Sequence, residues 1–313
     1  MPRTLTVTVP GAERAGIVAC ILEADGVASV AVQPGASVCP EGDVVTVQGT
    51  TAAIDGIIRG LADENGLARF SFSVAEPSAM AAPKTWEALE HESNEGLVED
   101  MGALLRRDTN VSINYLGLMA MAGIVAAAGL LSGALHIVIG AMLIAPGFEP
   151  PVRAVYGAVF GSLEEVGEGL AALGAGYAAL AAGAALTVGV AALVSPGSLS
   201  GLADKDLVGY WTTPSWNAPL IALAAAIGGA IVVTTRRTVF GAGVMVALAL
   251  VPGAAIAGMG LATGSRGLAL DGLLRFLLDI VCVVAAAFVV LGAKRAFVHR
   301  RPTTARPKAR RRA

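Results

Sequence analysis

The chain has 313 residues, of which 55% are hydrophobic and only 15% are charged, and its mean hydropathy is +0.69. This composition excludes an ordinary soluble protein of this length and predicts several transmembrane helices. The three cysteines have neither CxxC spacing nor a nearby histidine, which indicates neither a zinc site nor a disulfide framework.

Residues 1–78 predict a small α+β domain ahead of the hydrophobic part of the chain. Its periodic segments are a strand Thr4–Val9, a helix within Gly11–Gly26, strands Ala28–Val32 and Asp43–Gln48, a helix Thr51–Asn65 and a strand Leu67–Val74. The order β-α-β-β-α-β is that of the ferredoxin-like fold. Such a domain can bind a regulatory ligand or form dimers, and both roles stay open. The N-terminus lacks the pattern of a secretory signal, so we expect the domain to be cytoplasmic.

Residues 79–110 predict an acidic helical linker. Four of its side chains resemble a carboxylate and histidine metal cluster when placed on one helical face: Glu87, Glu90, His91 and Glu95. A solvated acidic connector explains the same pattern and is the favoured interpretation, so no metal site is predicted.

Residues 111–296 predict six transmembrane helices of about 20 residues or more. They are Val111–Leu131, Leu135–Ser162, Glu168–Val194, Asn217–Thr235, Thr238–Ala262 and Gly272–Ala296. Residues 297–313 form a basic tail, predicted to be disordered and to contact anionic lipid headgroups. The Arg106–Arg107 pair, the Arg236–Arg237 pair and this tail all fall on one side of six spans. By the positive-inside rule, the chain is a multi-pass membrane protein with both termini cytoplasmic.

The second predicted span is interrupted in its middle. Pro146, Gly147, Pro150 and Pro151 lie within an otherwise apolar run from Leu130 to Phe160. Each proline lacks an N–H donor and clashes with the preceding helical turn, so a continuous helix is not expected here. Unpaired backbone is tolerated in lipid only where it faces protein or a water-filled cavity, which predicts a functional site at this break.

Glu149 and Arg153 are ionisable residues beside the break. A charged side chain at this depth is costly unless it is paired or used, so Glu149 is the leading candidate for an ion-linked or proton-linked group. The alternative is a structural salt bridge between Glu149 and Arg153, which are four residues apart on one helix.

The fifth predicted span contains a second candidate interruption, at Pro252–Gly253. Paired with Pro146–Gly147, it divides the helices into two three-helix units of opposite orientation, each with a broken middle helix. Paired breaks of this kind point to a binding site of a transporter near the membrane midplane. A simple proline kink is the alternative.

The last predicted span carries Asp271, Arg275 and Asp279 on one helical face. We expect Asp271 to cap the helix. Asp279 lies two turns further in, where it either pairs with Arg275 or lines a pathway.

The segment from Gly140 to Pro146, GAMLIAP, followed by Glu149 and Pro150, resembles the motif of the domain of unknown function 389 family of bacteria and archaea. Leu250-Val251-Pro252 resembles the second motif of that family. The resemblance extends from about Tyr115 to Leu291 and implies a prokaryotic plasma membrane protein. The chain departs from the family pattern at Gly147-Phe148-Glu149, which adds a carboxylate, and at Gly253, which replaces a proline.

The sequence therefore predicts an α-helical polytopic membrane protein with an N-terminal ferredoxin-like domain. The leading hypothesis is a transporter or channel-like permease for a small solute or ion. Its predicted pathway residues are Gly140, Pro146, Gly147, Glu149, Pro150, Arg153, Pro252, Gly253 and Asp279. Exposed half-helix N-termini would favour an anionic cargo and free carbonyls a cation, so the sign stays open.

The alternative hypothesis is a sensor or scaffold whose soluble domain binds a ligand or partner while the helices only anchor it. The expected partners are the lipid bilayer, further copies of the chain in a homo-oligomer, and the solute or ion, but no nucleic acid. No catalytic Ser/His/Asp set, HExxH motif or phosphate-binding loop is present, so neither an enzyme nor a cofactor is predicted.

Overall fold

The structure, a computed structural model, describes residues 3–65, 70–77, 98–213, 216–235 and 248–297. The acidic cluster of the predicted linker, the first half of the predicted fifth span and the basic tail lie outside these residues. The chain separates into two compact units, Met1–Leu97 and Val98–Ala313, and each is described by itself.

The first unit is a four-stranded antiparallel sheet with two helices. Its elements are β1 (Arg3–Val9), α1 (Arg14–Glu23), β2 (Val27–Val38), β3 (Glu41–Gly49), α2 (Thr51–Asn65) and β4 (Ser71–Ala75). The strands lie in the order β2-β3-β1-β4, so the predicted β-α-β-β-α-β sequence of elements is present. Alternate side chains of a strand point to one face. Leu5, Val7 and Val9 are accordingly fully buried in a core shared with Ile54 and Ile58 of α2.

Strand β2 is longer than the predicted Ala28–Val32, because its pairing with β3 resumes at Ser37 after a shift in register. The buried carboxylate of Asp43 supports this region. It accepts a 2.7 Å hydrogen bond from the Gly35 N–H and forms an ion pair of 3.1 Å with Arg14. The predicted loop between the strands is therefore mostly strand.

The second unit is all helical in its described residues. Its helices are α3 (Val98–Asp108), α4 (Ile113–Ser132), α5 (Leu135–Ile144), α6 (Glu149–Phe160), α7 (Leu163–Val194), α8 (Asp206–Thr212), α9 (Ala218–Thr234), α10 (Leu250–Ala262) and α11 (Arg266–Phe297). Four helical segments are long and apolar enough to cross a membrane: α4, the α5–α6 pair, α7 and α11. Helices α9 and α10 are apolar but shorter. The six-span topology thus stays a prediction.

Helix α7 begins at Leu163 rather than at the predicted Glu168. Ser162 caps its N-terminus by accepting a hydrogen bond from the N–H of Glu165, and two carboxylates in the first turn complement the helix dipole. Glu164 and Glu165, which the predicted span boundaries leave in a loop, therefore belong to a helix.

Glycines on α7 allow its neighbours to approach closely. Gly169, Gly176 and Gly183 recur every seven residues and are buried. A Cβ atom at Gly169 would lie 2.6 Å from the backbone N of Ala154 on α6, and one at Gly183 would overlap the carbonyl oxygen of Ala120 on α4. Side chains at these positions would push the helices apart, as expected where small residues mediate helix packing.

Candidate functional site

The break in the second predicted span lies at residues 145–148, between α5 and α6. Pro150 and Pro151 occupy the first turn of α6 and have no N–H to donate to the carbonyls of Pro146 and Gly147, four residues earlier. The Gly147 carbonyl instead accepts a hydrogen bond of 3.1 Å from the Tyr177 hydroxyl on α7. A side chain from another helix thus replaces a missing backbone donor.

Gly147 makes this contact possible. A Cβ atom at Gly147 would overlap the Tyr177 hydroxyl, whereas one at Gly140, within α5, would meet no atom within 4 Å. Of these two predicted site residues, only Gly147 has a close neighbour that requires glycine.

We expect Gly147→Ala to lower the thermal stability of the detergent-solubilised protein, because the new methyl group displaces the Tyr177 hydroxyl and leaves a buried carbonyl unpaired. The expected loss is about 1–3 kcal/mol. Gly140→Ala is the matched control and should be neutral or stabilising by up to about 1 kcal/mol, because alanine favours a helix. Equal melting temperatures of the two variants would contradict this role of Gly147.

Glu149 is the first residue of α6. Its carboxylate interacts with the backbone N–H groups of Phe148 and of Glu149 itself, at the positive end of the helix dipole. Its Oε2 atom is buried and has no hydrogen-bond partner within the part of the chain that the structure describes. The alternative salt bridge between Glu149 and Arg153 is not formed. The structure therefore does not support a structural pairing of these two residues.

Arg153 belongs to a buried polar network and is only 2% exposed. Its Nε donates to Glu165 Oε2 at 2.8 Å, one Nη donates to Thr109 Oγ1 at 3.0 Å, and the other contacts the Glu168 carboxylate. Arg106 Nη1 donates to the second oxygen of Glu165 at 2.6 Å. The network joins α3, α6 and α7 one turn beyond the break, so Arg153 serves mainly to hold these helices together.

The partners of Arg153 were not predicted from the sequence, although a signal for them was present. Gly161 has a φ of 83°, in the left-handed region, and makes a short connection from α6 to α7. Glu165 and Glu168 are three residues apart on α7 and share one face. Two carboxylates just after a tight turn are natural partners for an arginine on the preceding helix.

The second predicted break is displaced in the structure. Pro252 and Gly253 are the third and fourth residues of α10, and the non-helical backbone lies before Leu250. Proline is tolerated in a first helical turn because its missing N–H would have no partner there. Pro252 therefore corresponds in helical position to Pro151, not to Pro146. Gly253 allows close packing on α11, since a Cβ there would lie 3.1 Å from the Phe276 backbone N.

Asp279 of α11 is fully buried and caps the N-terminus of α10. Its Oδ2 accepts a 2.7 Å hydrogen bond from the Ala249 N–H, and its Oδ1 lies 3.4 Å from Arg275 Nη2. The pairing with Arg275 is thus present. The expected capping role of Asp271 is wrong, because α11 already begins at Arg266.

Tyr177 connects the two interruptions. Its hydroxyl donates a hydrogen bond to the Gly147 carbonyl. The same hydroxyl is close enough to Glu149 and Asp279 to interact with both electrostatically. Its ring packs against Phe276 on α11, with ring centroids 4.5 Å apart. The structure therefore brings together the first break and the start of α10 around one side chain.

A groove of about 730 Å³ between α7, α10 and α11 extends from Tyr177 and Phe276 to Arg266. It is lined largely by alanine, glycine and leucine. Among the residues described, no group of three or more His, Cys, Asp or Glu side chains is placed to hold a metal ion.

Residues 142–285 match the family described as domain of unknown function (DUF389). The match confirms the predicted resemblance over this segment of the chain. An uncharacterised protein of Methanocaldococcus jannaschii, MJ0678, is 24% identical over 263 residues, which cover 82% of this chain and 79% of that protein. No solved structure matches the chain. The matched segment includes Tyr177, Glu149 and Asp279.

Proposed function

We propose that the chain is a membrane transporter or channel-like permease for a small solute or ion, with its site at the two interrupted helices. The observation that carries this proposal is the position of Tyr177, which contacts the first break and lies in range of the carboxylate that caps α10. Irregular backbone at membrane depth is tolerated only inside protein or beside a cavity, and paired interruptions are typical of transport sites.

The proposed arrangement is two inverted three-helix units in the plasma membrane of a prokaryote, with both termini cytoplasmic. The first three-helix unit is α4, the interrupted α5–α6 pair and α7, and the second three-helix unit is α9, the predicted fifth span that includes α10, and α11. The two three-helix units share a local pattern that supports this assignment. Helices α6 and α10 each have a proline at the third position and a carboxylate at the N-terminus, Glu149 or Asp279.

The proposal is tested by flux measurements on protein reconstituted into liposomes, with a panel of inorganic ions and small organic solutes. Tyr177→Phe keeps the contact between this ring and Phe276 and removes only the hydroxyl. The flux should fall roughly tenfold, which corresponds to the free energy of one hydrogen bond. Tyr210→Phe is the control, because Tyr210 is 70% exposed and lies on α8, outside both interrupted segments.

Equal fluxes in Tyr177→Phe and Tyr210→Phe would show that the interrupted helices are not part of the transport path. The absence of flux for every solute tested would favour the sensor or scaffold hypothesis.

A further inference from the structure

We infer that the cargo of this site carries positive charge, as a proton or a monovalent cation, and that the Glu149 carboxylate binds it. The inference rests on the proposed function and determines the sign that the sequence leaves open. It follows from which groups at the two interruptions are already paired and which are not.

The half-helix N-termini do not offer a vacant anion site. Glu149 places its own carboxylate on the N–H groups at the start of α6. Asp279 does the same for α10 through the 2.7 Å bond to Ala249. An anionic cargo would have to displace a carboxylate that is fixed to the protein and would meet the repulsion of that carboxylate.

Among the described residues, the buried side-chain atom without a hydrogen-bond partner at the first break is a carboxylate oxygen. Glu149 Oε2 is buried without a hydrogen-bond partner in the described ranges. The Pro146 carbonyl has no helical donor, since Pro150 lacks an N–H. A buried carboxylate oxygen without a partner is costly, and a proton or a cation removes that cost.

No described cation neutralises Glu149. The ionisable groups that face it are Asp108 of α3, Tyr115 of α4 and Tyr177 of α7. On its own helix, Arg153 is engaged by Glu165 and Glu168. Arg275 of α11 faces Asp279 instead. Within the described ranges Glu149 has no positively charged partner, so a proton or a bound cation would supply the missing charge.

The test compares reconstituted wild-type protein with Glu149→Gln, which keeps the shape and removes the charge. Proton flux is followed with a trapped pH dye, Na⁺ and K⁺ uptake with radioisotopes, and chloride and phosphate uptake in parallel. We expect wild-type flux of a proton or an alkali cation, reduced roughly tenfold or more in Glu149→Gln. The exposed Glu164 provides the control, and Glu164→Gln should retain wild-type flux. Comparison of the proton flux with the Na⁺ and K⁺ uptake identifies which cation is carried.

Glu149→Asp covers the case in which Glu149→Gln does not fold. It keeps the charge on a shorter side chain, so cation flux should persist at a reduced rate. Flux of only anions or neutral solutes, or cation flux unchanged in Glu149→Gln, would overturn the inference while leaving a permease. Absence of all flux would overturn the proposed function itself.

Discussion

Replacing Arg153 by methionine is expected to lower the free energy of unfolding by about 3–5 kcal/mol. Arg153 is 2% exposed and bonds to Glu165, Glu168 and Thr109. Its loss removes one of the two arginine donors to the buried Glu165 carboxylate, and the remaining Arg106 does not bond to Glu168 or Thr109. The measurement is equilibrium unfolding of the detergent-solubilised protein, monitored by circular dichroism.

Arg107→Met is the matched control for this experiment. Arg107 lies on α3 beside Arg106, is largely exposed and pairs with its neighbour Asp108 at 3.0 Å. A surface pair of this kind contributes less than about 1 kcal/mol. If both variants lost the same stability, the buried network would have no special role in holding α3, α6 and α7 together.

Replacing Gly183 by valine is expected to separate α4 from α7 and to cost about 1–3 kcal/mol or more through overpacking. A Cβ at Gly183 would overlap the Ala120 carbonyl, and one at Gly123 would overlap that of Leu180, so neither backbone has room for a side chain. Gly189→Val on the same helix controls for the lower helix propensity of valine, because Gly189 faces open space.

The assay is the melting temperature of each purified variant in the same detergent. A Gly189→Val melting temperature as low as that of Gly183→Val would contradict the close crossing of α4 and α7.

Local periodicity was sufficient to predict the order of strands and helices in the first unit, but not the length of β2. The alternation Thr4–Val9 and the helical spacing of Ile54, Ile57 and Ile58 each reflect a segment with one buried face, and the structure has both elements. In the second unit, hydropathy predicted where apolar helices lie. It could not place the start of α7, because acidic residues after Ser162 fit a loop and a capped helix equally well.

The two proline motifs differ in a way that residue type alone does not show. At Pro146 the chain is non-helical, whereas at Pro252 it is already in the first turn of α10. Proline is compatible with both positions, because neither position requires the backbone N–H that proline lacks. The break before Leu250 contains no proline, so nothing at that point of the sequence signals it.

The partners of Glu149 and Arg153 depended on tertiary structure. Spacing along one helix suggested that the two pair with each other. The fold instead turns sharply at Gly161 and places Glu165 against Arg153, twelve residues away in sequence. Only the three-dimensional arrangement reveals that no positively charged side chain among the described residues pairs with Glu149.

The bond between Asp279 and the Ala249 N–H stabilises α10 with its N-terminus at Leu250. Extending α10 backwards by one turn would require Ala249 to adopt helical backbone geometry and to exchange this carboxylate for a backbone carbonyl. A hydrogen bond to a charged group contributes about 1.5–3 kcal/mol, so such a rewound state would be disfavoured roughly 10-fold to 150-fold. A population of that size would keep the structure with the Asp279–Ala249 bond dominant while leaving the rewound state thermally accessible.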